Sequence, residues 1–225
     1  DWGVRGLCGS GGGEPTLHAG FTAILNRCAA TMKMKTSTFT NALAISDEVA
    51  SALLTCQFVA IAIQTNNAGT YKNIMGVDGF DRQIKSLNNL VKRKVHSKTL
   101  IKARMLILPE NYIEIHRVCK MVKEMGFDNF NVRPVDFERC DIKGHEKLKL
   151  PVDIIQEQFR RCHEEETANF KVTTTTHKFD DNYHVKHDFE SCLATPLLIP
   201  ILQDGNAYLC VDKKMDGPFR LGSAY

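Results

Sequence analysis

Val4-Arg5-Gly6-Leu7-Cys8-Gly9-Ser10-Gly11-Gly12-Gly13-Glu14-Pro15 is a short extended run that breaks on a string of glycines. Behind it Phe21, Ile24, Leu25 and Cys28 recur at the spacing of one helical face. The unit is therefore strand, glycine turn, helix. Consecutive glycines let the backbone take positive φ and leave N–H and C=O groups open to a ligand, and Glu14 sets a carboxylate beside them. Taken alone, these residues fit either a site for a polar ligand or a tight turn with no ligand. They are not a Walker loop, because no Gly-Lys-Ser/Thr follows, and not a G-x-G-x-x-G fingerprint with its acidic residue downstream.

Working outward, the unit repeats. Thr36 to Thr40 is β-branched and aromatic, and a short helix over Ala50 to Leu54 follows the start signal Ser46-Asp47-Glu48. Phe58 to Ile63 is a continuous apolar run, as in a strand covered on both faces, and Phe80, Ile84, Leu87, Leu90 and Val91 keep a helical period behind it. Leu100 to Leu108 gives another strand. It is followed by the helical set Ile113, His116, Val118, Met121, Val122 and Met125, ending at Gly126. Phe130 to Val135 is a fifth strand, a helix is expected from Pro151 to Ala168, and Thr173 to Thr176 offers a last strand. Strands alternating with helices predict an α/β fold with a parallel sheet, open or closed into a barrel. Past the polar stretch His177 to Phe189, the apolar pieces Leu197 to Leu202 and Ala207 to Cys210 straddle Asp204-Gly205-Asn206 and read as a β-hairpin. A boundary near residue 189 divides the chain into 1–189 and 190–225.

The composition bounds the rest. At 225 residues, with 43% hydrophobic and 24% charged side chains, the chain can build a sizeable core and is not disordered. A net charge of +3 with short basic runs at Lys92-Arg93-Lys94 and Lys213-Lys214 speaks against nucleic-acid binding. No segment approaches the roughly 20 apolar residues that span a bilayer, and no signal peptide opens the chain, so a cytoplasmic protein is expected. Its eight cysteines form neither a disulfide scaffold nor a zinc knuckle. Both termini read as cuts through a larger protein.

Ser10-Gly11-Gly12-Gly13-Glu14-Pro15-Thr16-Leu17-His18 closely resembles the second-strand GGEP motif of radical S-adenosylmethionine (SAM) enzymes. The resemblance runs on in order. Thr40-Asn41-Ala42-Leu43 is similar to the TNG-type end of the family's third strand, and Phe58 to Thr65 sits where its fourth strand lies. Gly69 to Gly76 is similar to the segment after that strand, and Glu110-Asn111-Tyr112 to the turn after the fifth. The resemblance implies a partial (β/α)6 TIM-like barrel of the radical SAM type. It implies that Gly12, Gly13 and Glu14, with Pro15, hold the methionyl amine of SAM. Arg104, sharing a strand face with Lys102, is then the preferred partner of the methionyl carboxylate, for its bidentate fork. Asn41 and Gln64 would complete the cofactor site, Gln64 standing with Ala62 where relatives carry an aspartate and a serine.

In this family a four-iron cluster held by C-x3-C-x2-C reduces SAM, and a 5′-deoxyadenosyl radical then abstracts hydrogen from a substrate. No such spacing occurs here, which truncation before the second strand explains; the given chain would then be inactive by itself. Cys192 and Cys210 bracket Gly205 as C-x12-G-x4-C, which fits the opening of the auxiliary-cluster module called SPASM or twitch. They are read as ligands of a possible auxiliary four-iron cluster. The metal-capable types His177, Asp180, Asp181, His184, His187 and Asp188 are read as a polar loop. The implied partners are a peptide or protein substrate or a small polar metabolite, and an electron donor such as flavodoxin or ferredoxin. A non-radical barrel lyase or aldolase and a degenerate SAM-binding module remain the alternatives.

Overall fold

In the computed structural model the described residues are 3–135, 150–176, 179, 190–191, 193–194, 197–211, 215 and 217–223. The chain divides into two compact units, Asp1–Phe137 with Ile142–Asp180, and Glu138–Asp141 with Asp181–Tyr225.

The first unit is a six-stranded, all-parallel sheet whose strands lie in chain order. They are β1 (Gly6–Gly9), β2 (Lys35–Thr40), β3 (Phe58–Ala62), β4 (Leu100–Ile107), β5 (Asn129–Pro134) and β6 (Lys171–Thr174). Between them run α1 (Phe21–Asn26), α2 (Asp47–Leu53), α3 (Ala68–Met75), α4 (Phe80–Arg93), α5 (Ile115–Glu124) and α6 (Val152–Glu164). Sequential order with a helix at every crossover is the path of a (β/α) barrel, and the sheet is a partial one.

Its two faces differ. Along β4 the residues Ile101, Ala103, Met105 and Ile107 are fully buried, and Lys102, Arg104 and Leu106 alternate with them on the other face. Val59 and Ile61 of β3 and Phe130 and Val132 of β5 join the buried set. They form one core with Leu53, Leu87, Leu90, Val118, Cys119, Val122, Ile155 and Cys162 of the helices. The other, inner face is lined by polar and cationic side chains. It is built in layers by the register: Ala60, Lys102, Asn129 and Lys171 lie side by side, then Ala62, Arg104, Asn131 and Thr173.

The helices start and stop for local reasons. The Ser46 hydroxyl accepts from Val49 N and caps α2, with Asp47 and Glu48 in its first turn. α1 runs into a single π turn, Arg27–Thr31. α5 begins only after a 3-10 turn at Tyr112–Glu114, and α6 stops at Glu164, short of the expected Ala168. The segment after β3 is a helix, α3, which periodicity did not pick out. Asn67 caps it through Thr70 N, and Gly76 ends it at φ 71°.

The second unit contains β7 (Asn206–Tyr208) and β8 (Arg220–Ser223), paired antiparallel. The expected hairpin about Asp204-Gly205-Asn206 is therefore partly redrawn. Its near arm contributes a single antiparallel bridge, Ile201 to Ala207, and β7 takes its main partner from farther along the chain. The turn itself is firm: Asp204 Oδ2 accepts from Tyr208 Oη at 2.6 Å, and Asp204 Oδ1 accepts from Asn206 N at 3.0 Å. The Tyr208 hydroxyl is the first cause that brings the Asp204 carboxyl down to about 2.

Candidate SAM site

At the carboxyl end of β1 the glycines make the turn. Gly11 takes φ +122°, and Gly13 N donates back to Gly11 O at 2.8 Å. A Cβ added at Gly13 would meet nothing within 4 Å, so the backbone here is open to an approaching group. Pro15 starts a 3-10 turn, for which the side chain of Glu14 is the cap.

The carboxylate of Glu14 is held by four donors. Three converge on Oε1: Thr40 Oγ1 at 2.6 Å, Thr16 Oγ1 at 2.7 Å and Thr16 N at 3.2 Å. Oε2 receives only Asn41 N, at 2.7 Å. A carboxylate oxygen offers about two lone-pair sites, so Oε1 is saturated and Oε2 keeps one free. Among the described residues no cationic side chain forms an ion pair with Glu14.

Arg104 presents the opposite case. Its guanidinium lies 4.8 Å from the ring centroid of Phe39, the residue before Thr40, and Lys102 Nζ lies 4.6 Å from that of Phe58. Phe39 and Phe58 meet edge to face at 6.1 Å. No carboxylate among the described residues pairs with Arg104. Burial first, and the charge of Arg133 second, push its pKa below the usual arginine value. A cation-seeking group, Glu14, therefore stands at the ends of β1 and β2, and an anion-seeking group, Arg104, on the inner face over Phe39 of β2. That is the charge pattern of an α-amino acid, and the residues present fit the methionyl end of SAM.

Two expected residues are engaged in the scaffold. Gln64 Oε1 accepts from Leu106 N at 2.9 Å, replacing the backbone acceptor that β4 would otherwise find after β3 ends. One lone pair of Gln64 Oε1 is thus committed to the scaffold, and its amide NH2 makes no hydrogen bond within the described residues. Asn41 Oδ1 accepts from Leu43 N at 2.9 Å, leaving its own amide NH2.

Sequence reasoning missed three polar side chains that hold the strand ends in place. Gln83, on α4 and 2% exposed, donates through Nε2 to Asn41 O at 2.6 Å and to Ala62 O at 3.0 Å. Asn111, fully buried, donates to Gln64 O at 2.9 Å and to Leu106 O at 3.0 Å, and accepts from Leu108 N at 2.8 Å. Glu114, buried, accepts from the hydroxyls of Thr65 and Thr70. Asn111 lay in a quoted motif, which was the available signal; Gln83 carried none, since a glutamine on a helix reads as solvated.

Cys192 lies outside the described residues, as do His177 and the stretch 180–189, so the expected ligation of one cluster by Cys192 and Cys210 has no geometry. Cys210 is half-buried beside β7. No group of three metal-capable side chains occurs among the described residues.

The sequence model of the Radical SAM superfamily matches residues 1–122. The chain belongs to the radical SAM superfamily. Solved structures share the family's partial barrel at low identity. Streptococcus suis SuiB aligns with TM-score 0.68 and 20% identity, over 96% of this chain and 52% of its own. The enzyme anSMEcpe with bound AdoMet aligns with TM-score 0.66 and 18% identity, over 99% and 64%. A domain of pyruvate-formate lyase-activating enzyme from Bacteroides vulgatus aligns with TM-score 0.57 and 15% identity, over 76% and 99%. This radical SAM chain thus spans about half the length of SuiB. No curated protein sequence matches it. No helix among the described residues is long and apolar enough to cross a membrane.

Proposed function

We propose that this chain is the SAM-holding part of a radical SAM enzyme. The observation that carries the reading is the unshared lone pair on Glu14 Oε2 beside the open glycine backbone, with Arg104 paired to no carboxylate among the described residues. Glu14 Oε2 accepts from the methionyl ammonium, a charge-assisted bond in a half-dry setting. The backbone of Gly12 and Gly13 lies along it, and Pro15 fixes the turn that aims the carboxylate. Arg104 takes the methionyl carboxylate, and the amide NH2 groups of Asn41 and Gln64 face the nucleoside. Held by Glu14 and Arg104, SAM would supply the radical chemistry of the family, given electrons from a reduced four-iron cluster.

The cluster's three thiolates are not among these residues, so this chain's share is to bind and orient. Residues 1–189 form the partial barrel and 190–225 the start of an auxiliary-cluster module, with Cys192 and Cys210 as candidate ligands. The substrate is a peptide, a protein or a small polar metabolite. SuiB bound to its precursor peptide SuiA and anSMEcpe bound to the Kp18Cys peptide favour the first. A flavodoxin or ferredoxin would supply the electron, and the protein would work in the cytoplasm.

The test is an anaerobic assay of the full-length parent after cluster reconstitution. 5′-Deoxyadenosine is expected from SAM and reductant, and Glu14→Gln is expected to weaken SAM binding at least about tenfold, the scale of one hydrogen bond to a charged group. A reconstituted parent that binds SAM no better than its Glu14→Gln variant would sink the reading.

A further inference from the structure

Arg133 is a further cation on the same inner face, and the cofactor reading leaves it unused. On β5 the residues Phe130, Val132 and Pro134 are buried against the helices, whereas Asn129, Asn131 and Arg133 alternate onto the inner face. Leu106 is the register partner of Arg133, and Asn131 that of Arg104. Arg133 therefore stands one strand farther from β2 than Arg104 and two residues nearer the carboxyl ends of the strands. In distance that is about 4.8 Å across the sheet and about 6.6 Å along it.

Its Nε is buried and has no hydrogen-bond partner, and no carboxylate among the described residues pairs with it. A buried donor on a permanent charge is costly to leave unmade. Arg104 aggravates the cost, because the two guanidinium groups repel each other. One anion does not settle both. The methionyl carboxylate is tied to an amine held by Glu14, on the β2 side, where Arg104 lies over Phe39. Arg133 is on the far side of Arg104 from that amine.

Resting on the reading of Glu14 and Arg104 as the methionyl site, we propose that Arg133 receives a carboxylate carried by the substrate. The position suits it, since ligands of barrel enzymes gather at the carboxyl ends of the strands. The planar guanidinium fork matches a carboxylate with two parallel bonds. Among the described residues near Arg133 none forms the glycine-rich N–H cradle that a phosphate dianion favours. The carboxylate comes from an acidic side chain or from a chain terminus; Arg133 reads the same two oxygens in either.

The test uses the full-length parent, reconstituted and saturated with SAM, and four small probes. N-Acetylglutamate α-amide is compared with N-acetylglutamine α-amide for the side-chain source, and acetyl-Ala-Ala with its C-terminal amide for the terminal source. The charged member of at least one pair is expected to bind about tenfold or more tighter than its neutral isostere. Arg133→Gln should erase that preference and Arg133→Lys should keep part of it, the lysine variant guarding against a folding artefact. The pair that shows the preference names the source. Equal binding within both pairs overturns the inference while leaving the cofactor reading intact. So does an Arg133→Gln variant that loses SAM affinity as fully as Arg104→Gln, because Arg133 would then share the methionyl carboxylate. If the parent fails to bind SAM at all, the reading beneath falls, and this inference with it.

Discussion

The two oxygens of Glu14 differ because Thr16 and Thr40 crowd onto one of them. That asymmetry leaves a capping residue with a free lone pair, which is what the proposed role in SAM binding needs. The same segment contains a backbone oddity. Ala42 has φ +57° and is fully buried, where the motif it resembles has glycine. A left-handed alanine costs about 1–2 kcal/mol; Thr40 Oγ1, which accepts from Ala42 N at 3.0 Å, helps to hold it there. Ala42→Gly should leave stability within about 1 kcal/mol, since relief of strain offsets the lost methyl and the added chain entropy. Ala42→Val should cost at least about 2 kcal/mol, because a β-branched side chain tolerates this φ worst and has no room. Urea denaturation of the parent protein and its two variants checks this. If valine is accepted as readily as glycine, the strain is not real.

Among the elements, the strands and the long helices were legible because burial imposes a period. Lys102 and Arg104 fell on one face by counting in twos, and the structure keeps them there. α3 was not legible: its caps, Asn67 and Gly76, were in plain sight, but Gly69 and Thr70 in its first turn weaken the helical signal. Glu14 could be read because a glycine string marks a turn. Gln83 could not, since its meaning lies in which strand ends it meets across the fold, and Asn111 showed only as part of a motif, without the contacts that give it a role. Asn111 shows what such a residue does. It ties Gln64 O on the β3 side to Leu106 O and Leu108 N on the β4 side. Asn111→Ala leaves these groups unpaired in a dry place and should cost about 2–4 kcal/mol. It should also weaken SAM binding through Gln64, although Asn111 is given no cofactor contact. Unfolding and SAM titration on one sample check both; a variant that loses stability with SAM affinity unchanged would show that the clamp does not position the site.

At the scale of the whole molecule, the sheet separates stability from chemistry by face. The helix-covered face gathers the core, and the inner face carries Lys102, Arg104 and Lys171 around an open groove of about 780 Å3 lined in part by Phe39, Phe58 and Asn131, with Arg133 farther toward the carboxyl ends of the strands. Asp128, the acidic residue at its edge, is already paired with Lys94 and accepts from Ile101 N at 2.6 Å. Consecutive residues of β4 should therefore respond in opposite ways. Ile101 is fully buried, and Ile101→Ala removes methylenes from a packed core, which should cost about 2–5 kcal/mol. Lys102 sits on the inner face, its ammonium over the Phe58 ring. Lys102→Ala gives up a cation–π contact of about 0.5–1 kcal/mol. It also relieves a cluster of like charges, so the net change should fall within about 0.5 kcal/mol of zero. Added salt should stabilise the wild type more than Lys102→Ala, because screening removes the repulsion that the substitution has already removed. Chemical denaturation at low and high ionic strength measures both effects. Equal losses at 101 and 102 would mean that the inner face is as much a core as the outer one, and that its cations are partnered rather than waiting for anions.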